Sequence, residues 1–310
     1  FDLITFLSDD DQFLPSGLNN SIMARLVRDT ALVTCASEQI GEEMAKYLAT
    51  NNYDVSLAGK DTQKLNSTVV SLSEKHGEGT FSAVSFDLSD FAQVQTEMER
   101  LSNTNHFNVV VICASELHSE DANDEVHCGF RLNVIAHFLI ARFLISRMDS
   151  TKSTRFVFVA PNPAGYDMSS SKLIPTEIPG LHNFFKKESV YLKGDGWHNY
   201  TRLGLMTIAQ HVRSANVTSV VISPIECVEI GRIARFCGKS ENTMESSDMA
   251  MCVFRMAIQK VDITRYQERW INGEFAPPID ISERQYEKLS EYLKLKTDPF
   301  GFNTMVQSLD

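Results

Sequence analysis

The sequence predicts a single α/β domain built on a doubly wound parallel sheet, preceded by a short N-terminal extension. Three observations carry that expectation. Short apolar runs of strand length alternate with stretches of helical spacing from residue 30 to residue 223. The runs lack the apolar–polar alternation of half-exposed strands, as expected for parallel strands covered on both faces. The chain has 310 residues and is 43% hydrophobic, enough for one large core, and no stretch reads as a linker between two domains.

Residues 1–29 form the extension, with an acidic cluster (Asp9, Asp10, Asp11), the breakers Pro15 and Gly17, and a helical stretch near Ser21 to Arg28. A first residue of Phe points to a processed or truncated start. Residues 30–310 form the domain. Ala31 to Cys35 is the first strand, and Ile40, Met44 and Leu48 share one face of the helix after it. Asp54 to Ala58 is a strand, and Asp61 is placed to cap a helix through Leu72. Phe81 to Phe86 is a strand, followed by a helix opened by Asp90 and running to Leu101. Asn108 to Cys113 reads as a fully buried strand, and Asp124 to Met148 as one long core helix. Arg155 to Val159 is a strand, residues 161 to 196 an irregular connection, Gly196 to Arg213 a helix and Val217 to Ile222 a strand. Ser247 to Gln259 is a Met-rich helix whose methionines fit a core. Arg265 to Trp270 is a candidate last strand, and Ser282 to Leu295 an amphipathic helix. Alternation of this kind implies right-handed crossovers and a sheet of about seven strands.

Composition narrows the function. The net charge of −11 repels phosphate backbones, so a nucleic-acid partner is not expected. The six cysteines (Cys35, Cys113, Cys128, Cys227, Cys237, Cys252) form no CxxC pair and sit mostly in apolar runs. They read as buried thiols in a reducing compartment, with no metal site. The most lipophilic stretch, Phe130 to Met148, carries Arg131, Asn133, His137, Arg142 and Arg147, which argues against a transmembrane segment.

Several motifs stand in an order that carries more than any one of them. ALVTCASEQIG spans residues 31–41, FDLSD residues 86–90, VVVICAS residues 109–115, RLNVIAHFLIARFLI residues 131–145, RFVFVAPNPAG residues 155–165, and WINGEFAPP follows near the C-terminus. Together they resemble the short-chain dehydrogenase/reductase superfamily, a Rossmann-like fold, and within it the retinol-dehydrogenase-like branch. The resemblance covers roughly residues 30 to 295. It implies cofactor-contact positions at Thr34, Ser37, Gly41, Lys60, Asp87 and Ala114, with Asp87 in the segment that contacts adenine. It implies a structural and proton-relay role for Asn133. The HF pair of the branch falls on His137 and Phe138.

The same resemblance puts the departures in view. The family glycine pattern TGxxxGxG keeps Thr34 and Gly41 but reads Cys35 and Gln39 at two glycine positions. Their side chains are expected to crowd a pyrophosphate, and Glu38 adds negative charge beside its path. Lys60 stands where NADP-preferring members often place a base. The catalytic Ser position reads Asn162. Aligned on HNYTRLGL, residues 198–205, the catalytic Tyr and Lys positions read His198 and Arg202, both expected to face the surface. The literal YxxxK at Tyr292 to Lys296 lies in the C-terminal helix, away from any strand top.

In such reductases the Tyr hydroxyl donates the proton, the Lys ammonium lowers its pKa, and the Ser hydroxyl orients the substrate oxygen. Losing all of them together implies a catalytically inactive homologue with no cofactor expected, or NADP(H) if any. The expected role is an accessory subunit that contacts protein partners in a larger assembly, with a mitochondrial complex as the leading setting. One alternative is an active NADP(H)-dependent oxidoreductase of a lipophilic alcohol or ketone, using a rebuilt His198/Arg202 site. The other is a nucleotide sensor that binds without turnover.

Overall fold

The five apolar residues from Val109 to Cys113 are all buried, and they form the central strand of a parallel sheet. A computed structural model describes residues 28–76, 79–113, 127–160, 196–222, 246–258 and 283–300. In chain order its elements are β1 (Asp29–Val33), α1 (Gln39–Thr50), β2 (Tyr53–Gly59), α2 (Thr62–Lys75), β3 (Phe81–Ser85) and α3 (Phe91–Thr104). There follow β4 (Val109–Cys113), α4 (Cys128–Ser146), β5 (Thr154–Val159), α5 (Gly196–His211), β6 (Val217–Ile222), α6 (Ser246–Ile258) and α7 (Glu283–Thr297).

The described strands make a six-stranded sheet of order β3-β2-β1-β4-β5-β6, with every neighbouring pair parallel. This is the doubly wound arrangement, whose order reverses between β1 and β4. Right-handed crossovers then place α1, α2 and α6 on one face and α3, α4 and α5 on the other, and α7 packs against α5 and α4. The candidate strand Arg265 to Trp270, residues 161–195 of the irregular connection and the extension before Arg28 lie outside the described residues. β1 starts at Asp29, so the boundary set after residue 29 falls inside the first strand.

The helix caps follow the sequence. The Asp61 carboxylate accepts from the Lys64 amide at the start of α2, and Asp90 accepts from the amides of Ala92 and Gln93 at the start of α3. Each satisfies amides that have no partner within the first helical turn. Among the described residues one helix, α4, is long and apolar enough to cross a membrane, but 83% of that stretch is buried inside the fold. Every residue from Ala136 to Leu144 is buried, Arg142 included. Arg142 pairs there with Asp298 at 2.8 Å and donates to the Thr297 hydroxyl at 2.7 Å. That joins the core helix to the C-terminal end of α7.

Candidate functional site

In a doubly wound sheet, ligands bind outside the carboxyl ends of the strands, where the strand order reverses. Here that point is the turn after β1. Thr34 through Ser37 are all buried. The Thr34 amide donates to the Val111 carbonyl at 3.0 Å, and the Thr34 hydroxyl accepts from the Cys113 amide at 3.1 Å. The Ala36 amide donates to the Ala58 carbonyl at 2.9 Å. The turn is thereby pinned to the top of β4 on one side and of β2 on the other. Thr34, Cys113 and Asp87 all lie at the C-terminal edge of the sheet, as the motif order requires.

Cys35 has φ of 50°, the left-handed conformation that glycine adopts without strain. The backbone shape of a glycine turn therefore persists with a side chain on it. The thiol is 2% exposed and donates to the Cys113 carbonyl at 3.1 Å. Its Sγ is thus turned toward the carboxyl end of β4. The Gln39 side chain lies outside the described ones. Gly41 remains obligatory, because a Cβ there would stand 2.4 Å from the Cys35 carbonyl oxygen and 2.9 Å from the Ala36 Cα. Ser37 closes the turn beneath Gly59, where an added Cβ would meet its Oγ at 3.1 Å. Glu38 is the N-cap residue of α1, exposed and without a side-chain cap bond, and Glu42 adds a carboxylate in the first turn.

The far end of the cleft, over β2 and β3, is held by charge. Lys60 and Asp87, two separate candidate contacts in the sequence, pair with each other at 2.7 Å. Asp87 also accepts from the Ser89 amide at 2.8 Å and the Ser89 hydroxyl at 2.7 Å. Burial pushes its carboxyl pKa upward, but Lys60 and Ser89 outweigh burial and hold it below the ordinary value. The turn after β1 therefore keeps the backbone shape of a glycine turn, and the loops after β2 and β3 are joined by the Lys60–Asp87 pair.

On the other half of the cleft, Asn133 sits fully buried at the centre of a π-helical turn, Arg131–Ile135, inside α4. A π turn leaves the helix locally widened, a feature often found at functional positions. The His137 ring, also fully buried, bonds the Asn133 carbonyl through Nδ1 at 2.9 Å, which fixes the proton on that nitrogen. Burial drives the His137 pKa down to about 4. α5 lies against this turn so closely that a Cβ on Gly204 would meet Val134 Cγ1 at 2.4 Å.

α5 is buried on every side from Tyr200 to Ala209. Arg202 is 6% exposed, which corrects the expectation that it faces the surface. Tyr200 is 5% exposed and belongs to the hydrophobic core. His198 lies in the first turn of α5, with its side chain outside the description, and Ala114 and Asn162 lie outside the described residues altogether. Tyr292 is buried in α7, and the Lys296 ammonium lies 5.6 Å from its ring centroid. Among the described residues no group of three or more His, Cys, Asp or Glu side chains could hold a metal ion.

The family model for short chain dehydrogenases matches residues 29–171. An uncharacterized oxidoreductase, YvaG, of Bacillus subtilis is 27% identical over 141 residues, 44% of this chain and 52% of that one. The matched segment thus spans about half the length of that curated relative. Among solved structures, the L-sorbose reductase of Gluconobacter frateurii, complexed with NADPH and L-sorbose, is similar at TM-score 0.54 and 16% identity. That likeness covers 80% of this chain and 96% of the reductase. An alcohol dehydrogenase from the archaeon Thermococcus sibiricus, complexed with 5-hydroxy-NADP, gives TM-score 0.53 at 14% identity, covering 81% of this chain and 99% of its own. At such identities the structural likeness is one of fold. The match of the short chain dehydrogenase family model is thus confined to residues 29–171, while the likeness of fold extends over most of the chain.

Proposed function

We propose that the chain is a superfamily member that does not transfer hydride and acts as an accessory subunit through its surface. The observation that carries this reading is the burial of Tyr200 in the core. It is the one tyrosine in the stretch aligned with YxxxK, and a phenol packed in the core cannot protonate a substrate in the cleft. The aligned positions instead hold His198 and Arg202, with Asn162 in place of the serine. An arginine cannot be deprotonated and is a poor copy of the lysine that lowers a phenol pKa. The test is an assay of reduced-nicotinamide consumption on retinoids, steroids and small carbonyls, run beside a search for stable complexes by affinity purification of the full chain. No turnover together with a stoichiometric protein partner is the expected result.

Arg202 favours a second reading. A guanidinium that is 6% exposed is a strong local charge in a low-dielectric setting. An NADP(H)-dependent oxidoreductase could use it to hold a ribose while His198 moved the proton. The curated relative is named an oxidoreductase. Loss of turnover in both His198→Ala and Arg202→Met variants would establish this reading over the first.

A further inference from the structure

Both oxygens of the Asp87 carboxylate are engaged by the chain itself. One oxygen, Oδ1, accepts from the Ser89 amide at 2.8 Å and the Ser89 hydroxyl at 2.7 Å. The other, Oδ2, is taken by the Lys60 ammonium at 2.7 Å. The Asp87 amide donates to the Gln93 side-chain carbonyl at 3.2 Å, which fixes the loop that presents the carboxylate. A second side-chain contact, between Thr62 Oγ1 and Ser85 Oγ at 2.6 Å, ties the same two loops together. The tops of β2 and β3 are therefore clasped twice.

This position matters because of topology. In a doubly wound sheet the first three strands form one mononucleotide-binding half, and the ribose of its nucleotide is read at the top of the second strand. Lys60 directly follows β2, so the base lies beyond it, toward the top of β3, where Asp87 sits. A Lys60 side chain extended to Asp87 therefore bridges the tops of β2 and β3 and takes one of the two Asp87 carboxylate oxygens.

We propose that the Lys60–Asp87 pair is a built-in plug of the base subsite, which selects against adenosine-bearing ligands until it opens. The plug is modest in strength. Lys60 is 57% exposed and Asp87 is 23% exposed, and ion pairs of that exposure are partly screened by solvent.

The test is isothermal titration of the full chain with 5′-AMP, NAD(H) and NADP(H), in wild type, Lys60→Met and Lys60→Arg. Lys60→Met keeps an aliphatic chain but removes the ammonium, and it is expected to bind 5′-AMP and NAD(H) about 2- to 5-fold more tightly. Lys60→Arg keeps the pair and is expected to match wild type. Raising the salt concentration is expected to narrow the difference between wild type and the Met variant, because salt weakens the pair. Equal or weaker binding of 5′-AMP by Lys60→Met overturns the proposal. So does failure of both proteins to bind any of the ligands, because the pair is then not what closes the subsite.

Discussion

Cys35 donates its thiol hydrogen to the Cys113 carbonyl across the first and fourth strands, at 3.1 Å, from a backbone held at φ 50°. A cysteine thus stands in a glycine conformation, and its side chain is accommodated by the neighbouring strand. Cys113 has the same surroundings, and burial pushes its thiol pKa up to about 12, so it is inert at neutral pH.

Cys35→Gly removes one weak hydrogen bond and relieves a left-handed non-glycine residue. The two effects oppose, and the net change in unfolding free energy is expected within about 1 kcal/mol of zero. Cys35→Val keeps the strain, adds a β-branch and loses the donor, and is expected to destabilise by about 1–3 kcal/mol. Urea denaturation of the two variants beside wild type measures both.

Gly204 sits where α5 meets the π turn of α4. Gly204→Ala drives a methyl to within 2.4 Å of Val134, and overpacking of this kind costs about 1–3 kcal/mol. Because the obstruction is a side chain, Val134→Ala in the same chain should recover part of the loss. A double-mutant cycle with strictly additive costs would show that the two residues do not touch.

The Arg142–Asp298 pair joins α4 to the end of α7, with Arg142 8% exposed and Asp298 31% exposed. Asp298→Asn leaves a buried guanidinium without its counter-charge. The expected cost is about 1–3 kcal/mol, below the range for fully buried pairs because Asp298 reaches solvent. Hydrogen exchange of the amides of α7 should accelerate in this variant before those of the sheet do.

Two histidines make stability depend on pH. Burial takes His137 from its ordinary 6.5 to about 4, against the pull of the Asn133 carbonyl. Burial, then the charges of Lys294 and Arg142, take His211 to about 4. Between about 6.5 and 4 the unfolded chain binds protons that the folded chain refuses, so stability falls as pH falls through that window. Below about 4 both states are protonated and the contribution is gone. Denaturation midpoints measured across this window should flatten in His137→Gln, and further when His211→Gln is added.

The strands were legible because each is a contiguous apolar run, and the helix starts because Asp61 and Asp90 carry the capping signal in their own side chains. Asn133 was legible as a special position, but the π turn around it was not, because no residue type in RLNVI distinguishes a π turn from an α turn. The burial of Arg202 was misread because an arginine in a helix is usually solvated, and only the packing on both sides of α5 reveals otherwise. The Lys60–Asp87 pair was missed for a different reason. The residues are 27 apart in sequence and meet only through the parallel register of β2 and β3, which composition does not encode. The direction of the Cys35 thiol likewise depends on β4 lying beside β1.

The proposed role excludes hydride transfer in the cleft. The most direct measurement follows reduced-nicotinamide absorbance for purified wild type, His198→Ala and Arg202→Met, with NADPH and NADH, over retinoid, steroid and small carbonyl substrates. Wild type is expected to be indistinguishable from both variants and from buffer. Turnover by wild type that either substitution abolishes would contradict it and would assign a rebuilt active site to His198 and Arg202.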